Sequence, residues 1–365
     1  MKYFLIVGEA SGDLHGSKLI RRLFELDRNA LIQAWGGDLM SKEGATILKH
    51  YQELAFMGFA EVIANIGTIY KNFKICKSQI LAFNPDAIIF VDYPGFNLRM
   101  AKWAKAADFK TFYYISPQLW AWKEGRVKHI KSSIDQLYTI LPFENNFYKK
   151  YEVYPEYVGH PLLEAIAEFT PDTDISKQFS NKKILALLPG SRKQEISKML
   201  PLYLKAAKNF PDYTPVIAAA PSLSMAFYES FINKEESKSL IFQGRTYSIL
   251  AAASLAWVSS GTATLETALF GVPQIVCYTG NRLSYQIAKK LIKVKYISLV
   301  NLILDKPLLK ELIQDEFTVS NLVAETNKLD SEKIKTEYLK LHDLLLPDNA
   351  SFQVANSIIS KLKSA

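Results

Sequence analysis

The run Tyr3–Val7 is apolar at every position and passes into G-E-A-S-G-D-L-H-G, with glycines at 8, 12 and 16, ahead of a helical pattern from about Leu14 to Leu26. A short run apolar on both faces predicts a strand covered on both sides, the habit of parallel sheets flanked by helices. Strand, glycine loop and helix open a doubly wound sheet, whose ligands bind at the C-terminal edge of the strands. Leu31–Trp35, Ala87–Val91, Lys110–Ile115 and Leu137–Ile140 supply further strands of a first sheet. The pattern then restarts at Lys183–Leu188 and continues through Thr214–Ala219, Ser239–Phe242, Leu255–Val258 and Gln274–Cys277. The prediction is an α/β chain of two Rossmann-like domains in series, with no sequence repeat between them.

A chain of 365 residues is natural for two such domains. The polar, turn-rich stretch Phe169–Asn181 reads as the linker, giving domains over 1–168 and 169–346. Amphipathic helices over Ser331–Leu346 and Asp348–Lys361 close the chain, and 347–365 is expected to return to the first domain. No apolar segment approaches the roughly 20 residues needed to cross a bilayer. The N-terminal run is short and ends in a glycine loop, unlike a signal peptide. Cys76 and Cys277 lie far apart and outside any metal-type spacing, which suggests a reducing cytoplasm.

The net charge of +8 is concentrated. Lys71–Lys131 holds 11 Lys/Arg against 4 Asp/Glu, and Arg282–Lys310 holds 7 against 1. Such segments point to an acidic partner: nucleic acid, anionic lipid or a phosphorylated substrate. Nucleic acid fits poorly, because the aromatic residues gather in Ser116–Lys123 and do not alternate with the cations as a stacking track would. Phe56–Lys77 is apolar at most positions and edged by Lys71, Lys74 and Lys77. It reads either as a core helix or as an interfacial helix whose lysines meet headgroups.

Chemistry gathers at the expected strand ends. Glu9, Ser11, Asp13 and His15 crowd the first glycine loop, and Asp92 ends the run Ala87–Val91 before a Pro-Gly turn. Strand-terminal acids also cap helices, so a structural role competes with catalysis. In the second half, V-S-S-G-T-A-T-L-E-T-A-L-F-G-V-P (258–273) is a strand-to-helix turn rich in hydroxyls. A helix N-terminus offers unpaired N–H groups to a phosphate, although the same residues serve as ordinary caps. Arg192, after Lys183–Leu188, is expected at the same edge, where a guanidinium and a helix N-terminus form a diphosphate cradle. Glu266 can cap or reach a ribose. Asp172-Thr173-Asp174 has the D-x-D form that holds a metal in some sugar-nucleotide enzymes, but it follows a proline in a linker. Neither G-x-G-x-x-G nor a Walker sequence occurs.

The motifs G-E-A-S-G-D-L-H-G (8–16), D-Y-P-G-F-N (92–97), S-P-Q-L-W-A-W (116–122), L-P-F-E (141–144), V-G-H-P (158–161), L-P-G-S-R (188–192) and S-G-T-A-T-L-E (260–266) occur in this order. Together they resemble the lipid-A-disaccharide synthase family of bacterial GT-B glycosyltransferases, from the N-terminus to about Gln314. The resemblance implies an inverting, metal-independent transfer without a cofactor. UDP-2,3-diacylglucosamine would be the donor and 2,3-diacylglucosamine 1-phosphate the acceptor. The products would be a β-1',6-linked disaccharide and UDP. It implies UDP contacts at Arg192, at Ser260, Gly261, Thr262, Ala263 and Thr264, at Glu266, and at Asn301 and Gln314 of the I-S-L-x-N and E-L-I-Q segments. It also implies a cytoplasmic enzyme resting on the anionic inner-membrane surface, and it admits a homodimer. Some relatives read D-x-P-D-F-N where this chain has Gly95, so a second carboxylate is missing from that loop. The general base stays open among Asp92, Glu9, Asp13 and His15. A GT-B relative with a soluble acceptor, or an epimerase, is the competing reading.

Overall fold

A computed structural model describes residues 1–54, 66–179, 182–235, 237, 239–280 and 294–364. Strands β1 (Lys2–Ile6), β2 (Leu31–Gly36), β3 (Thr46–His50), β4 (Ala87–Val91), β5 (Thr111–Tyr114), β6 (Gln136–Thr139) and β7 (Glu156–Tyr157) form one sheet in the order β3-β2-β1-β4-β5-β6-β7. All of its pairings are parallel. The apolar runs are explained by what covers each face. Tyr3, Leu5, Ile89 and Val91 pack with Leu19, Leu23, Val354 and Ile358 on one side. Phe4, Ile6, Ile88 and Phe90 pack with Cys76, Ile80, Met100 and Ala104 on the other. Full burial of one such large side chain stabilises by about 1.5–3 kcal/mol.

Strands β8 (Lys183–Leu188), β9 (Tyr213–Ala219), β10 (Leu240–Gln243), β11 (Ala253–Ser259), β12 (Gln274–Tyr278) and β13 (Glu311–Ile313) form a second parallel sheet in the order β10-β9-β8-β11-β12-β13. Leu185, Leu187 and Trp257 face Ile196, Leu200 and Tyr203, while Ala186 and Val258 face Ile249 and Val272. This is the α/β architecture of two doubly wound sheets.

The chain divides into a unit of Met1–Glu164 with Leu345–Ala365 and a unit of Ala165–Leu344. The C-terminal helix Ala350–Lys363 buries Val354, Ala355 and Ile358 in the first unit's core. The returning chain passes so close to Gly159, at φ +83°, that a Cβ there would lie 1.8 Å from the Pro347 carbonyl oxygen. Ser351 clamps the return: its N–H and hydroxyl both donate to Glu164, at 3.2 and 2.6 Å.

Several local expectations are corrected. Most of the first glycine loop is helix, since Ala10–Leu26 is helical with Glu9 as its N-cap residue. Gly12 and Gly16 therefore serve close packing, their missing Cβ atoms falling 3.0 Å from Val7 and 2.9 Å from Met40. The stretch read as a linker contains the helix Thr173–Gln178, capped by the Asp172 carboxylate, which accepts from the Asp174 N–H at 2.9 Å. Asp172 also pairs with Arg245 at 2.7 Å, so the D-x-D triplet is a helix start. Of the segment Phe56–Lys77, residues 56–65 lie outside the described residues. The remainder belongs to the helix Ile66–Phe83, which buries Cys76 and Ile80 against the first sheet. No helix among the described residues is long and apolar enough to cross a membrane.

Candidate active site

Because β1 and β4 are neighbours, with Ile6 opposite Phe90, Glu9 and Asp92 emerge side by side at one sheet edge. Asp92 and Tyr93 are consecutive left-handed residues, with φ of +46° and +50°. Each such non-glycine residue costs on the order of 1–3 kcal/mol and persists only where its surroundings enforce it. Here the Asp92 N–H donates to the Tyr114 carbonyl at 3.0 Å. The Asp92 carbonyl accepts from the Tyr113 hydroxyl at 2.6 Å and from Asn97 Nδ2 at 2.8 Å. Asn97 Nδ2 also reaches the Ile6 carbonyl at 3.2 Å, tying β1 to β4 where the carboxylate departs. Burial, and then the charge of Glu9, push the Asp92 carboxyl up to about 6. It is thus ionised at neutral pH yet basic enough to take a proton.

The other candidates of this edge separate by environment. Asp13 is buried and accepts from the N–H groups of Gly37 (2.8 Å), Leu39 (3.1 Å) and Met40 (3.2 Å). It holds the start of the helix Asp38–Lys42, a structural role for a residue also expected among the bases. His15 is pushed down to about 4, first by burial and then by Lys18, and its Nδ1 is buried without a partner among the described residues. Its neighbour is His160 of the V-G-H-P motif, which burial and His15 push down to about 3 and whose Nδ1 accepts from the Leu162 N–H at 3.2 Å. Both imidazoles are neutral at pH 7. His160 was not expected here; its signal in the sequence was a histidine between glycine and proline just past a strand.

The next strand ends carry a buried polar network, also not foreseen. Glu144 accepts from the N–H groups of Ile140 (3.1 Å) and Leu141 (3.0 Å) and from Trp120 Nε1 (3.2 Å). Burial pushes its carboxyl up to about 7. The Ser116 hydroxyl pairs with that of Tyr148 at 2.7 Å. Ile115, β-branched yet at φ +64°, starts the loop this network fixes.

In the second unit, the ends of β8, β9 and β11 surround a pocket of about 280 Å³. Ser260, Gly261, Thr262, Ala263 and Glu266 line it, together with Gly190 and Glu195. Gly261, at φ +143°, is the N-cap residue of the helix Thr262–Leu269. Thr264 is buried and turns its hydroxyl back to the Gly261 carbonyl at 2.8 Å, while the Ser260 hydroxyl donates to the Ile297 carbonyl at 3.0 Å. Thr262 and the backbone of Gly261 and Ala263 are left to face the pocket from this turn. The Tyr247 hydroxyl donates to Glu266 Oε1 at 2.9 Å, and burial pushes the Glu266 carboxyl up. Arg192 does not line the pocket itself; its side chain is 71% exposed and pairs at 3.1 Å with Glu195, which does.

Asn301 stands elsewhere. It is buried, donates to the Leu309 carbonyl (2.9 Å) and Glu311 (3.0 Å), and accepts from the Leu309 N–H (2.8 Å). Glu311 accepts in addition from the N–H groups of Ile297 and Ser298 at 3.0 and 2.9 Å. Asn301, expected at the nucleotide, thus shapes the segment after residue 294 through these bonds. Gln314, at φ +53° past the end of β13, has a buried Nε2 without a partner among the described residues. Among the described residues no cluster of three or more His, Cys, Asp or Glu is placed to hold a metal ion.

Comparison with known proteins agrees with this architecture. The family described as Lipid-A-disaccharide synthetase matches residues 3–358. A lipid-A-disaccharide synthase of Geobacter metallireducens is 34% identical over 99% of this chain and 97% of its own length. One from Coxiella burnetii is 37% identical over 89% of this chain and 88% of its own. Among solved structures, the S. aureus MnaA–UDP complex superimposes with a TM-score of 0.68 at 13% identity, covering 100% of this chain and 97% of that one. The calicheamicin glycosyltransferase CalG4 gives 0.62 at 15% identity, covering 99% and 98%. At such identities the likeness is one of fold, the GT-B arrangement of glycosyltransferases and epimerases.

Proposed function

The chain belongs to the lipid-A-disaccharide synthetase family, hexosyltransferases of lipid A biosynthesis, and from that membership we propose that it joins UDP-2,3-diacylglucosamine to 2,3-diacylglucosamine 1-phosphate with inversion. The observation that carries the chemistry is Asp92, a carboxylate at a strand edge held near 6 by burial and by Glu9. Its role is to take the proton from the acceptor's 6-hydroxyl as that oxygen attacks the anomeric carbon of the donor. The bond from that carbon to the diphosphate breaks, its electron pair leaves with UDP, and the single displacement yields the β-1',6 linkage.

The second unit's pocket is assigned to the donor. Negative charge grows on the departing diphosphate, and backbone N–H groups with the helix dipole at Gly261–Ala263 would offset it. Arg192, paired with the pocket-lining Glu195, is assigned to the diphosphate as a cation. Glu266, steadied by Tyr247, is assigned to the ribose. Glu9 is left the task of raising Asp92. His15, neutral and backed by His160, is available as a hydrogen-bonding group to the acceptor. The basic segment up to Lys131 suits a membrane surface bearing anionic lipid.

UDP release measured with acylated and with deacylated glucosamine 1-phosphate tests the substrate class. Turnover confined to the acylated acceptor is expected. Equal turnover with both, or conversion of the UDP-sugar without any acceptor, would move the chain to a soluble transferase or an epimerase.

A further inference from the structure

The loop leaving β5 carries a pair of cations that the transfer step does not use. Its inner anchor is Trp120, bonded to the buried Glu144 and edge-on to Phe143 with ring centroids 4.9 Å apart. Trp122, two residues on, is 47% exposed. The Lys123 ammonium sits over the Trp122 ring, 3.8 Å from its centroid. Lys123 is left-handed, at φ +60°, and leads into a 3-10 turn over Glu124–Arg126, with the Arg126 N–H donating to the Lys123 carbonyl at 2.9 Å. That hydrogen bond closes the turn, so the two cations spring from neighbouring points of the backbone.

Neither Lys123 nor Arg126 has a carboxylate partner among the described residues. Glu124, the acid between them, accepts from the Tyr151 hydroxyl at 3.0 Å. Burial, and then the neighbouring Arg126, lower the Lys123 pKa. Two neighbouring cations gain from an anion whose several oxygens can accept from both. An exposed indole beside them offers the anion's carrier an apolar face.

We propose that Lys123 and Arg126 form a phosphate subsite, floored by Trp122, for the phosphate of the acylated sugar acceptor. This rests on the acceptor reading given above. The substrate is favoured over a bilayer headgroup because the loop is fixed to the catalytic edge. It springs from β5, whose Tyr113 and Tyr114 hold the Asp92 backbone, and Glu144 and Tyr148 brace it from beneath. A fixed pair of charges suits one phosphate held in register; a fluid surface needs only net charge.

The test compares a short-chain 2,3-diacylglucosamine 1-phosphate with its unphosphorylated counterpart, by calorimetry, on the wild type and on the double variant Lys123→Ala/Arg126→Ala. The wild type should prefer the phosphorylated probe, and the double variant should lose that preference by about tenfold to a hundredfold. Its UDP affinity and melting temperature should not change. Trp122→Ala should weaken both probes alike. A preference kept by the double variant would overturn the subsite. So would a loss confined to co-sedimentation with phosphatidylglycerol vesicles, which would assign the cations to the membrane. A wild-type protein that binds neither probe would contradict the acceptor reading itself, and the subsite with it.

Discussion

A Cβ on residue 8 would lie 2.3 Å from Cγ of Tyr93 and 2.4 Å from its Cδ1, so the bare backbone of Gly8 is what lets the Tyr93 ring lie over the end of β1. The ring stacks in turn on Phe96, centroids 5.9 Å apart. This packing holds Tyr93 left-handed and, through it, sets where the Asp92 carboxylate points.

Gly8→Ala should therefore push the ring away and move Asp92. Overpacking of this kind typically costs about 1–3 kcal/mol, so the melting temperature should fall modestly. Turnover should fall by at least about tenfold, because misplacing a catalytic group by a fraction of an ångström is expensive. UDP affinity, read by calorimetry, should stay as it was. Unchanged turnover in a folded variant would show that the ring does not position Asp92.

Asp92→Asn should lower kcat by about 10²–10⁴ while the variant still binds UDP. It should also melt higher than the wild type. The sign follows from linkage: a carboxyl raised from 3.8 to about 6 binds more protons folded than unfolded, so its contribution to stability falls as pH climbs through that interval. At neutral pH the ionised group costs on the order of 2–3 kcal/mol. Asn escapes that cost and tolerates the left-handed region. In the wild type, kcat/KM should rise with pH around 6. Glu9→Gln should move that limb to lower pH, because removing the neighbouring charge lets Asp92 ionise more easily. A limb that stays put in Glu9→Gln would separate the two carboxylates.

Arg192→Ala should weaken UDP binding by about tenfold, less than a buried contact would lose, because the guanidinium is largely exposed. Glu195→Gln should strengthen binding, since it removes a negative charge that lines the pocket. Calorimetry on both variants checks the pair. Opposite signs are expected, and loss in both would mean that the ion pair acts as one structural unit.

His15 and His160 give the stability a pH dependence of its own. Both are pushed below the ordinary histidine value, to about 4 and about 3, so the unfolded chain binds protons that the folded chain refuses. Their contribution is fully present above pH 6.5 and is lost as pH falls towards 4. Urea midpoints should therefore drop between pH 7 and pH 5. His160→Asn should flatten that slope, and a parallel slope in the variant would count against the pairing.

The parts of the fold that could be read from sequence are those whose residues are apolar on both faces. β1, β4, β8 and β11 stand out because helices cover both of their sides. β3, β7 and β13 did not stand out: Thr46–His50 is half-exposed, and the other two strands are two and three residues long. The site divides on a different physical ground. Asp92 could be singled out by its place after a buried strand. Asp13 and Asn301 looked like ligand contacts because a carboxylate or an amide that holds backbone N–H groups is made of the same atoms as one that holds a substrate. Only the partners around them tell the two apart, and those partners come from residues 37–40 and 309–311.

The products of the proposed transfer can be identified directly. UDP-2,3-diacylglucosamine and 2,3-diacylglucosamine 1-phosphate, incubated with the protein, should yield UDP and a disaccharide 1-phosphate in equal amounts. NMR of that disaccharide should give the large anomeric coupling of a β-1',6 linkage. An α linkage, or UDP released without a disaccharide, would contradict it.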